Sequence, residues 1–489
     1  MKMLLIYNAR LVDRDTDEPG AVLCDGSKIA AVFKGDFSDE KRALEVAKAF
    51  CSAGGAAGCT SDCPSDAEIE TYDASSLILT PAFIDTHVHL RDPGLTQKED
   101  LQSGLTACAS GGYGTVVAMP NTSPVMSSPE LAEQTMERGN ALGLTKMFQT
   151  VSITRNFEGE DISHLDNLSR EKIPFITEDG HDVLSSATML RGMKKASENR
   201  QVVSCHCEDC TLALEAKPHR QKALALMKEH GLSAWGGGDT SNVPENALSQ
   251  IDSELTEANS ILALAEDVAT ERNIRLAKKA SCHVHICHIS TAESIEAVRR
   301  AKKEMVSSSK VQDYSSLMDI LDSFSVTAEV TPHHIALSGA EEPLIRALVN
   351  PPLRTESDRK SVIKALREGV IDCIATDHAP HTAEDKAVGA PGFTGIEAAY
   401  GVCHSVLVKE EGFSESELSA LMSANPARIL KLNKGLLKAG FDADLTLCSP
   451  EEKWTVRPEL FKSKGKATPF EGQELTGKVK GIILRGKKL

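Results

Sequence analysis

The sequence predicts a (β/α)8 barrel of the TIM type, with a small β-rich domain formed from both termini. Eight apolar or β-branched runs between about residues 78 and 425 each end in polar residues and alternate with helix-like stretches, which is typical of parallel βα units. The runs are ILTPAFIDTHVHL, GYGTVVAMPN, TKMFQTVSI, IPFITED, QVVSCHC, CHVHICHIS, SVTAEVTPHH and DCIATDHAPH. Strand-like segments at both ends, such as LLIYNARLVD and GKVKGIILRGKKL, predict the smaller domain.

We predict that three stretches of chain build these two domains. Residues 1–77 and 431–489 form the two parts of the β domain, and residues 78–430 form the barrel. A helix-like stretch followed by a Gly/Ala/Cys-rich stretch, at about 36–70, is predicted to be an insertion without chemistry of its own. The stretch ANSILALAEDVATERNIRLAKKA, between the fifth and sixth runs, has apolar residues at helical spacing and predicts a helix that faces the core.

Composition and charge exclude several classes of protein. The hydrophobic fraction of 41% and charged fraction of 25% are those of a soluble globular protein, and no apolar run reaches the roughly 20 residues that span a bilayer. The net charge of −16 argues against a nucleic-acid surface. The first residues lack a secretory apolar segment, and 13 scattered cysteines do not form a paired framework, so we expect reduced thiols and a cytoplasmic location. Cys59 with Cys63, and Cys205, Cys207 with Cys210, are spaced closely enough for thiolate zinc sites but lack a matching second pair.

The ends of the predicted strands carry metal-ligating residues. Catalytic groups of such barrels lie at the C-terminal ends of the strands. The first run ends in His87 and His89, which strand alternation places on one face. This pair alone is also compatible with a polar rim, but later runs end in His206, His288 and Asp377. This constellation resembles the metal centre of the amidohydrolase superfamily.

Such a set would support hydrolysis. Imidazoles and carboxylates bind Zn²⁺ and leave a position for water, whose pKa falls to near 7. Asp377 is our candidate for the proton shuttle between that water and a leaving amide nitrogen. His283 and His285 lie earlier in their run, and His378 points away from Asp377 by alternation, so we predict structural roles for these three.

The fourth run ends in Asp179, where many relatives carry a carboxylated lysine that bridges two metals. Lys172 is the nearest lysine, but it lies at the beginning of this run and thus at the opposite end of the barrel. We therefore expect Asp179 to take the position, with one or two zinc ions.

Four longer motifs resemble dihydroorotases, and most closely their bacterial class I form. They are HVHLRDPG at 87–94, AMPNT at 118–122, NPPLR at 350–354 and ATDHAPHT at 375–382, and the resemblance extends over about residues 78–430. It implies that the metal ligands are His87, His89, Asp179, His206, His288 and Asp377. It also implies that the substrate contacts are Arg91, Asn121, Asn350 and His381, with backbone groups near Pro391 and Gly392.

The reaction implied by the resemblance is the reversible cyclisation of N-carbamoyl-L-aspartate to L-dihydroorotate in pyrimidine (UMP) biosynthesis. Arg91 would offer a charge-assisted contact to the ring carboxylate, because it follows His89 by two residues and is expected on the same face. The loop 384–394 is expected to act as a lid. The resemblance further implies a homo-oligomer, a dimer, and association with aspartate transcarbamoylase.

Two other functions are compatible with part of this pattern. Allantoinases, hydantoinases and dihydropyrimidinases share the metal ligands but generally lack an arginine at the position of Arg91. A catalytically inactive scaffold is the other alternative, although every expected ligand is present. The insertion at 36–70 and the segment Cys210 to Gln250, with its Trp235–Gly238 turn, exceed what the family predicts and bear on the assembly state.

Overall fold

The computed structural model describes residues 2–53, 68–166, 168–232, 240–308, 324–339 and 348–489. Its strands are β1 Lys2–Asp13, β2 Thr16–Asp25, β3 Lys28–Lys34, β4 Glu68–Asp73, β5 Ile78–Pro81, β6 Phe83–Val88, β7 Tyr113–Ala118, β8 Lys146–Gln149, β9 Val151–Ser152, β10 Phe175–Thr177, β11 Val202–Cys205, β12 His283–Ile286, β13 Ser325–Val330, β14 Cys373–Ile374, β15 Leu445–Thr455, β16 Glu474–Leu484 and β17 Lys487–Lys488. Its α-helices are α1 Glu40–Ser52, α2 Leu101–Ser110, α3 Pro129–Ala141, α4 Ser186–Glu198, α5 Cys210–Glu229, α6 Glu245–Ala280, α7 Ala292–Ser308, α8 Pro332–Ala336, α9 Glu356–Arg367, α10 Ala383–Ala387, α11 Ala399–Cys403, α12 Glu415–Ser419 and α13 Asn425–Ile429. Two π-helical segments, His404–Glu410 and Ala420–Ala424, extend α11 and join α12 to α13.

One sheet combines strands from both ends of the chain. Its order is β17-β16-β15-β5-β1-β2-β3, and β4 also pairs with β1. The two ends meet where β15 runs antiparallel to β5, with Leu447 opposite Leu79. Both side chains are fully buried in one apolar cluster, because this face of the sheet is shielded from water. Strands from the two ends of the chain thus share one sheet and one core, while the domain boundaries at 77 and 430 stay predictions.

Helix α1 forms within the segment predicted to be an insertion. Asp39 caps it by accepting a hydrogen bond from the Lys41 N–H, and its Ala43, Ala47 and Cys51 face a second apolar cluster beneath the sheet. The Gly/Ala/Cys-rich stretch that follows, including Cys59 and Cys63, lies outside the described residues.

The remaining strands are all parallel to their neighbours. They form the arrays β14-β13-β12-β11-β10-β9 and β6-β7-β8. The arrays adjoin on one side because only Thr150 separates β8 from β9. On the other side Val88 forms a parallel bridge with His378, and the His89 N–H donates to the His378 carbonyl at 2.9 Å. Each of the eight predicted runs contributes to these arrays, so their carboxyl ends gather on one side.

The segment between β11 and β12, which is unusually long in the sequence, is more helical than predicted. Helix α5 begins directly after β11, where the Asp209 side chain accepts from the Thr211 and Leu212 N–H groups. Helix α6 covers 36 residues, includes the predicted core-facing stretch, and buries a stripe that contains Leu255, Leu262 and Ile274. The predicted Trp235–Gly238 turn lies outside the described residues. Over the part of the chain that is described, no helix combines the length and apolar character that crossing a membrane requires.

Candidate metal centre and substrate pocket

Imidazoles and carboxylates from several strand ends converge in one buried cluster. His87 Nε2 lies 3.3 Å from Asp179 Oδ1 and 3.6 Å from Asp377 Oδ1. His89 Nε2 lies 3.0 Å from Asp377 Oδ1 and 3.6 Å from Asp179 Oδ2. The structure therefore brings these four predicted ligands together, from the ends of β6, β10 and β14.

The two other predicted ligands complete a second group around the same aspartate. His206 Nδ1 lies 3.6 Å from Asp179 Oδ1 and 3.0 Å from His288 Nε2. All three residues are buried, and their ligand atoms lie within 4.8 Å of one another. Asp179 thus belongs to both groups of ligand atoms.

The hydrogen bonds behind His87 and His89 test whether the cluster fits a metal. His89 Nδ1 donates to the Asn121 amide oxygen at 2.8 Å, and His87 Nδ1 donates to Glu329 at 3.2 Å. The Nε2 atom of each ring then faces carboxylate oxygens, and His87 Nε2 is buried without a hydrogen-bond partner. Ligand atoms about 2.1 Å from a tetrahedral Zn²⁺ lie about 3.4 Å apart, which matches the observed separations. The residues therefore fit a divalent cation.

The two carboxylates of the cluster carry the negative charge that a cation requires. Burial would raise the pKa of Asp179, but His87, His89 and His206 hold it well below its usual range. Burial likewise opposes ionisation of Asp377, yet the hydrogen bond from His89 and the neighbouring imidazoles keep its pKa low. Burial, His206 and His87 lower the pKa of His288 to about 3, so its ring is neutral. The two carboxylates and His288 are thus in the forms that bind metal. Against the effect of burial, the neighbouring carboxylates instead raise the pKa of His87 well above its usual value and that of His206 to about 9, so these two rings must release a proton when a cation binds.

Three of the predicted site residues have left-handed backbone conformations. Their φ angles are +58° at Arg91, +32° at His288 and +48° at Asp377. Such conformations cost a non-glycine residue of the order of 1–3 kcal/mol and are concentrated at functional sites. Each of these three residues lies just beyond the end of a strand, where the backbone turns. The turn changes the direction of the side chain from the one that strand alternation would give it.

Glu329, a buried residue of β13, is a functional candidate that was not predicted from the sequence. It accepts hydrogen bonds from His87 Nδ1 at 3.2 Å, from His285 Nε2 at 2.9 Å and from the Thr86 hydroxyl. Glu329 thereby holds the proton of His87 on Nδ1 and directs Nε2 into the cluster. An acidic residue inside an apolar run, SVTAEVTPHH, was the signal that could have identified it.

We expect Glu329→Gln to weaken metal binding by about 10- to 100-fold, the usual effect of losing a carboxylate that orients a ligating histidine. A glutamine cannot accept with the same strength from both His87 and His285. A competition titration against a chromophoric chelator measures this. Asp372→Asn is the control, since it removes another buried carboxylate, paired with Lys302 at 2.7 Å, away from the cluster. Wild-type metal affinity in Glu329→Gln would contradict the assignment.

Next to the metal cluster lies a cationic pocket around His381. Arg91 Nη2 lies 3.3 Å from His381 Nε2, and Lys98 Nζ lies 3.5 Å from His381 Nδ1. Burial and the charges of Arg91, Lys386 and Lys98 lower the pKa of His381 to about 3. Asp385, 3.1 Å from Lys98, is the acidic partner. Two cations, Arg91 and Lys98, beside a neutral imidazole favour an anionic ligand, while burial lowers the pKa of Lys386 to about 7.

The predicted backbone contacts near Pro391 and Gly392 border this pocket. Lys386 Nζ donates to the carbonyls of Ala390 at 2.5 Å and Gly392 at 2.6 Å, and thus holds this loop. Gly392 has a φ of +102°, and a Cβ there would lie 2.8 Å from the Ala379 Cβ, so only glycine fits. Gly392 is buried and Pro391 exposed. A lid motion of residues 384–394 stays a prediction.

The two predicted substrate-binding asparagines have different surroundings. Asn121 donates from Nδ2 to Asp179 Oδ2 at 3.0 Å while its oxygen accepts from His89, so both ends hold predicted metal ligands. Asn350 instead accepts from Arg220 Nη1 at 2.7 Å, and Arg220 was not singled out in the sequence. Substrate binding by either asparagine stays a prediction.

Other candidates from the sequence lie away from the cluster. Lys172 pairs with Glu133 at 2.7 Å and is largely exposed. Among the described residues, no group that could hold a metal includes Cys205, Cys207 or Cys210, and all three are free thiols. His283 and His285 both bond the Thr327 hydroxyl at 2.8 Å.

Comparison with known proteins identifies relatives over most of the chain. The profile of the amidohydrolase family matches residues 78–489. A dihydroorotase of Clostridium botulinum (strain Eklund 17B / Type B) is 38% identical over 420 residues, which are 86% of this chain and 89% of the relative. The dihydroorotase of Bacillus subtilis (strain 168) is 34% identical over 421 residues, 85% and 87% of the two chains.

Solved structures show a similar fold in more distant proteins. The L-hydantoinase of Arthrobacter aurescens has a TM-score of 0.74 at 21% identity, over 99% of this chain and 95% of that chain. The dihydropyrimidinase of Brevibacillus agri NCHU1002 has a TM-score of 0.71 at 20% identity, over 99% and 94%. At these identities the similarity establishes the mixed α/β fold alone.

Proposed function

Because this chain belongs to the amidohydrolase family, and to the dihydroorotases within it, we propose that it interconverts N-carbamoyl-L-aspartate and L-dihydroorotate in pyrimidine biosynthesis. It is an enzyme, a metal-dependent cyclic-amide hydrolase. We propose zinc as the metal, with one or two ions per subunit, because the donor set is imidazole and carboxylate at tetrahedral separations.

We further propose that the two parallel arrays form one closed (β/α)8 barrel. Thr150 alone separates β8 from β9, and the Val88–His378 bridge joins the other edges. All the predicted ligands then face the carboxyl-end opening, where barrel enzymes have their active sites.

The main support for the proposed substrate is the position of Arg91 beside the metal cluster. Its guanidinium lies beside neutral His381, which Lys98 also approaches, so the charges of Arg91 and Lys98 can neutralise a carboxylate on the substrate. Dihydroorotate carries one carboxylate on its ring, and a guanidinium binds such a group with two parallel hydrogen bonds. A cyclic amide without that carboxylate would leave this buried charge unpaired.

The proposed mechanism assigns a task to each group. His87, His89, Asp179, His206, His288 and Asp377 would hold the metal. When bound, the metal supplies a nucleophile from water at neutral pH and polarises the ring carbonyl. Arg91 orients the ring through its carboxylate, and His381, neutral at physiological pH, accepts from Arg91 and keeps the guanidinium in place.

Asp377 would move the proton. Its Oδ1 faces His87 and His89, and we assign proton transfer to Oδ2. In hydrolysis Asp377 takes the proton of the attacking water and delivers it to the ring nitrogen as the amide bond breaks. In cyclisation the path runs backwards: Asp377 takes the proton of the attacking nitrogen as the amide bond forms and donates it to the departing oxygen.

We expect the purified protein to turn over dihydroorotate and carbamoyl-aspartate, and to discriminate against allantoin and dihydrouracil, which lack the carboxylate. Steady-state assays of the four compounds side by side, before and after chelation and zinc addition, measure this. Preference for dihydrouracil or allantoin would assign the chain to the hydantoinase-like alternative. Absence of both turnover and stoichiometric metal would indicate the inactive scaffold.

The remaining expectations are also proposals. We propose a cytoplasmic enzyme that acts as a homodimer and associates with aspartate transcarbamoylase. Size measurements of the protein alone and mixed with that enzyme test the last two points.

A further inference from the structure

Arg220 lies in helix α5, part of the segment by which this chain departs from the expected pattern of its family. Its Nη1 donates to the Asn350 amide oxygen at 2.7 Å, and its Nη2 donates to the Val349 carbonyl at 3.2 Å. Its Nε is buried. The half-buried guanidinium of Arg220 thus binds the segment that contains Asn350, a predicted substrate contact.

Two neighbours show that this contact borders the proposed site. On one side Leu348, two residues before Asn350, accepts from the Gly392 N–H at 2.8 Å, and Leu224 of α5 faces Gly389. On the other side Glu208 lies 3.9 Å from the predicted ligand His206. The charges of His206 and Arg220 hold the pKa of Glu208 low although burial opposes this.

The chemistry of the two side chains fixes the orientation of Asn350. A guanidinium has only donors, so the end of the amide that faces Arg220 must be the oxygen. The amide NH2 group, Nδ2, therefore points elsewhere. Among the residues that the structure describes, none accepts a hydrogen bond from Nδ2, which leaves two N–H donors for a ligand.

We propose that Arg220 is a positioning residue for substrate specificity: it holds the oxygen of Asn350 so that Nδ2 donates to the substrate carboxylate that Arg91 binds. This inference rests on the proposed function. Without Arg220 the amide can rotate by 180° and present its oxygen, which repels a carboxylate. In the wild type, Asn350 would favour a ligand that accepts hydrogen bonds, because Arg220 holds the amide with its NH2 group towards the substrate.

The test compares Arg220→Met, Arg220→Lys, Asn350→Ala and the double variant Arg220→Met/Asn350→Ala in steady-state assays with dihydroorotate. Lys217→Met is the matched control, because Lys217 is an exposed cation on the same helix. Metal content and melting temperature are measured for each variant, so that a variant that fails to fold is recognised and replaced by Arg220→Gln.

We expect Arg220→Met to raise KM about 10-fold, the usual size of a lost charge-assisted hydrogen bond, with kcat and metal content little changed. Lysine at position 220 should restore part of the loss, because it also donates to the amide oxygen. In the double variant, KM should equal that of Asn350→Ala alone, because Arg220 acts through Asn350.

Two results would overturn the inference while dihydroorotate turnover by the wild type is intact. One is an unchanged KM in Arg220→Met. The other is multiplication of the two single effects in the double variant, which would indicate an independent structural role. Absence of wild-type turnover on dihydroorotate would instead refute the proposed function, and the inference with it.

Discussion

Replacing Asp377 by asparagine is expected to lower kcat by about 10³-fold, the typical contribution of a general acid–base group, while most of the metal is retained. An asparagine keeps an oxygen of similar position near His87 and His89, so the cluster is preserved. It cannot take up and return a proton. Single-turnover kinetics together with metal analysis of the same preparation measure the two effects separately.

A second variant separates proton transfer from metal binding. His206→Ala removes an imidazole 3.6 Å from Asp179 and should lose metal and activity together. If Asp377→Asn loses both in the same way, Asp377 is mainly a ligand. If it retains both kcat and metal, the proton is moved by another group.

Arg91→Met is expected to lower kcat/KM for dihydroorotate by roughly 10²- to 10⁴-fold. Two hydrogen bonds to a carboxylate are worth about 1.5–3 kcal/mol each, and each 1.4 kcal/mol is about a factor of 10. The effect should lie mainly in KM, because Arg91 contacts the carboxylate rather than the reacting bond. Initial-rate kinetics over a wide substrate range give the separate constants.

Controls for Arg91 distinguish geometry from charge. Arg91→Lys keeps the charge but loses the planar fork, so an intermediate loss is expected. Arg275→Met removes an exposed guanidinium of α6 that pairs with Glu271 at 2.8 Å, and should leave the kinetics unchanged. Inhibition by dihydrouracil, which lacks the carboxylate, should be unaffected by Arg91→Met. Wild-type KM in Arg91→Met would refute the substrate assignment.

At Arg91 the alternation of strand β6 no longer determines where a side chain points. Strand alternation was extended from His87 and His89 to Arg91, but β6 ends at Val88 and Arg91 has a φ of +58°. Its side chain reaches His381 because the chain turns beyond the strand. Arg91 lies close enough to Asp377 for their charges to interact, but strand alternation does not explain its direction, and its contact with substrate stays a prediction.

Asn121 and Asn350 show a second limit. Both were predicted to contact substrate, yet Asn121 joins His89 to Asp179, and Asn350 is held by Arg220. An amide side chain offers the same groups in any setting. Only its neighbours decide which end remains for a ligand.

The sequence by itself determined the succession of strands and helices and the chemistry at each strand end. Periodicity and residue type depend on neighbours along the chain, so eight runs and their terminal His and Asp residues could be recognised there. The tertiary structure alone decided that Glu329 lies behind His87 and that Arg220 reaches Asn350. Those contacts join residues more than 100 positions apart, and they depend on which strands adjoin and where α5 passes, which local pattern does not encode.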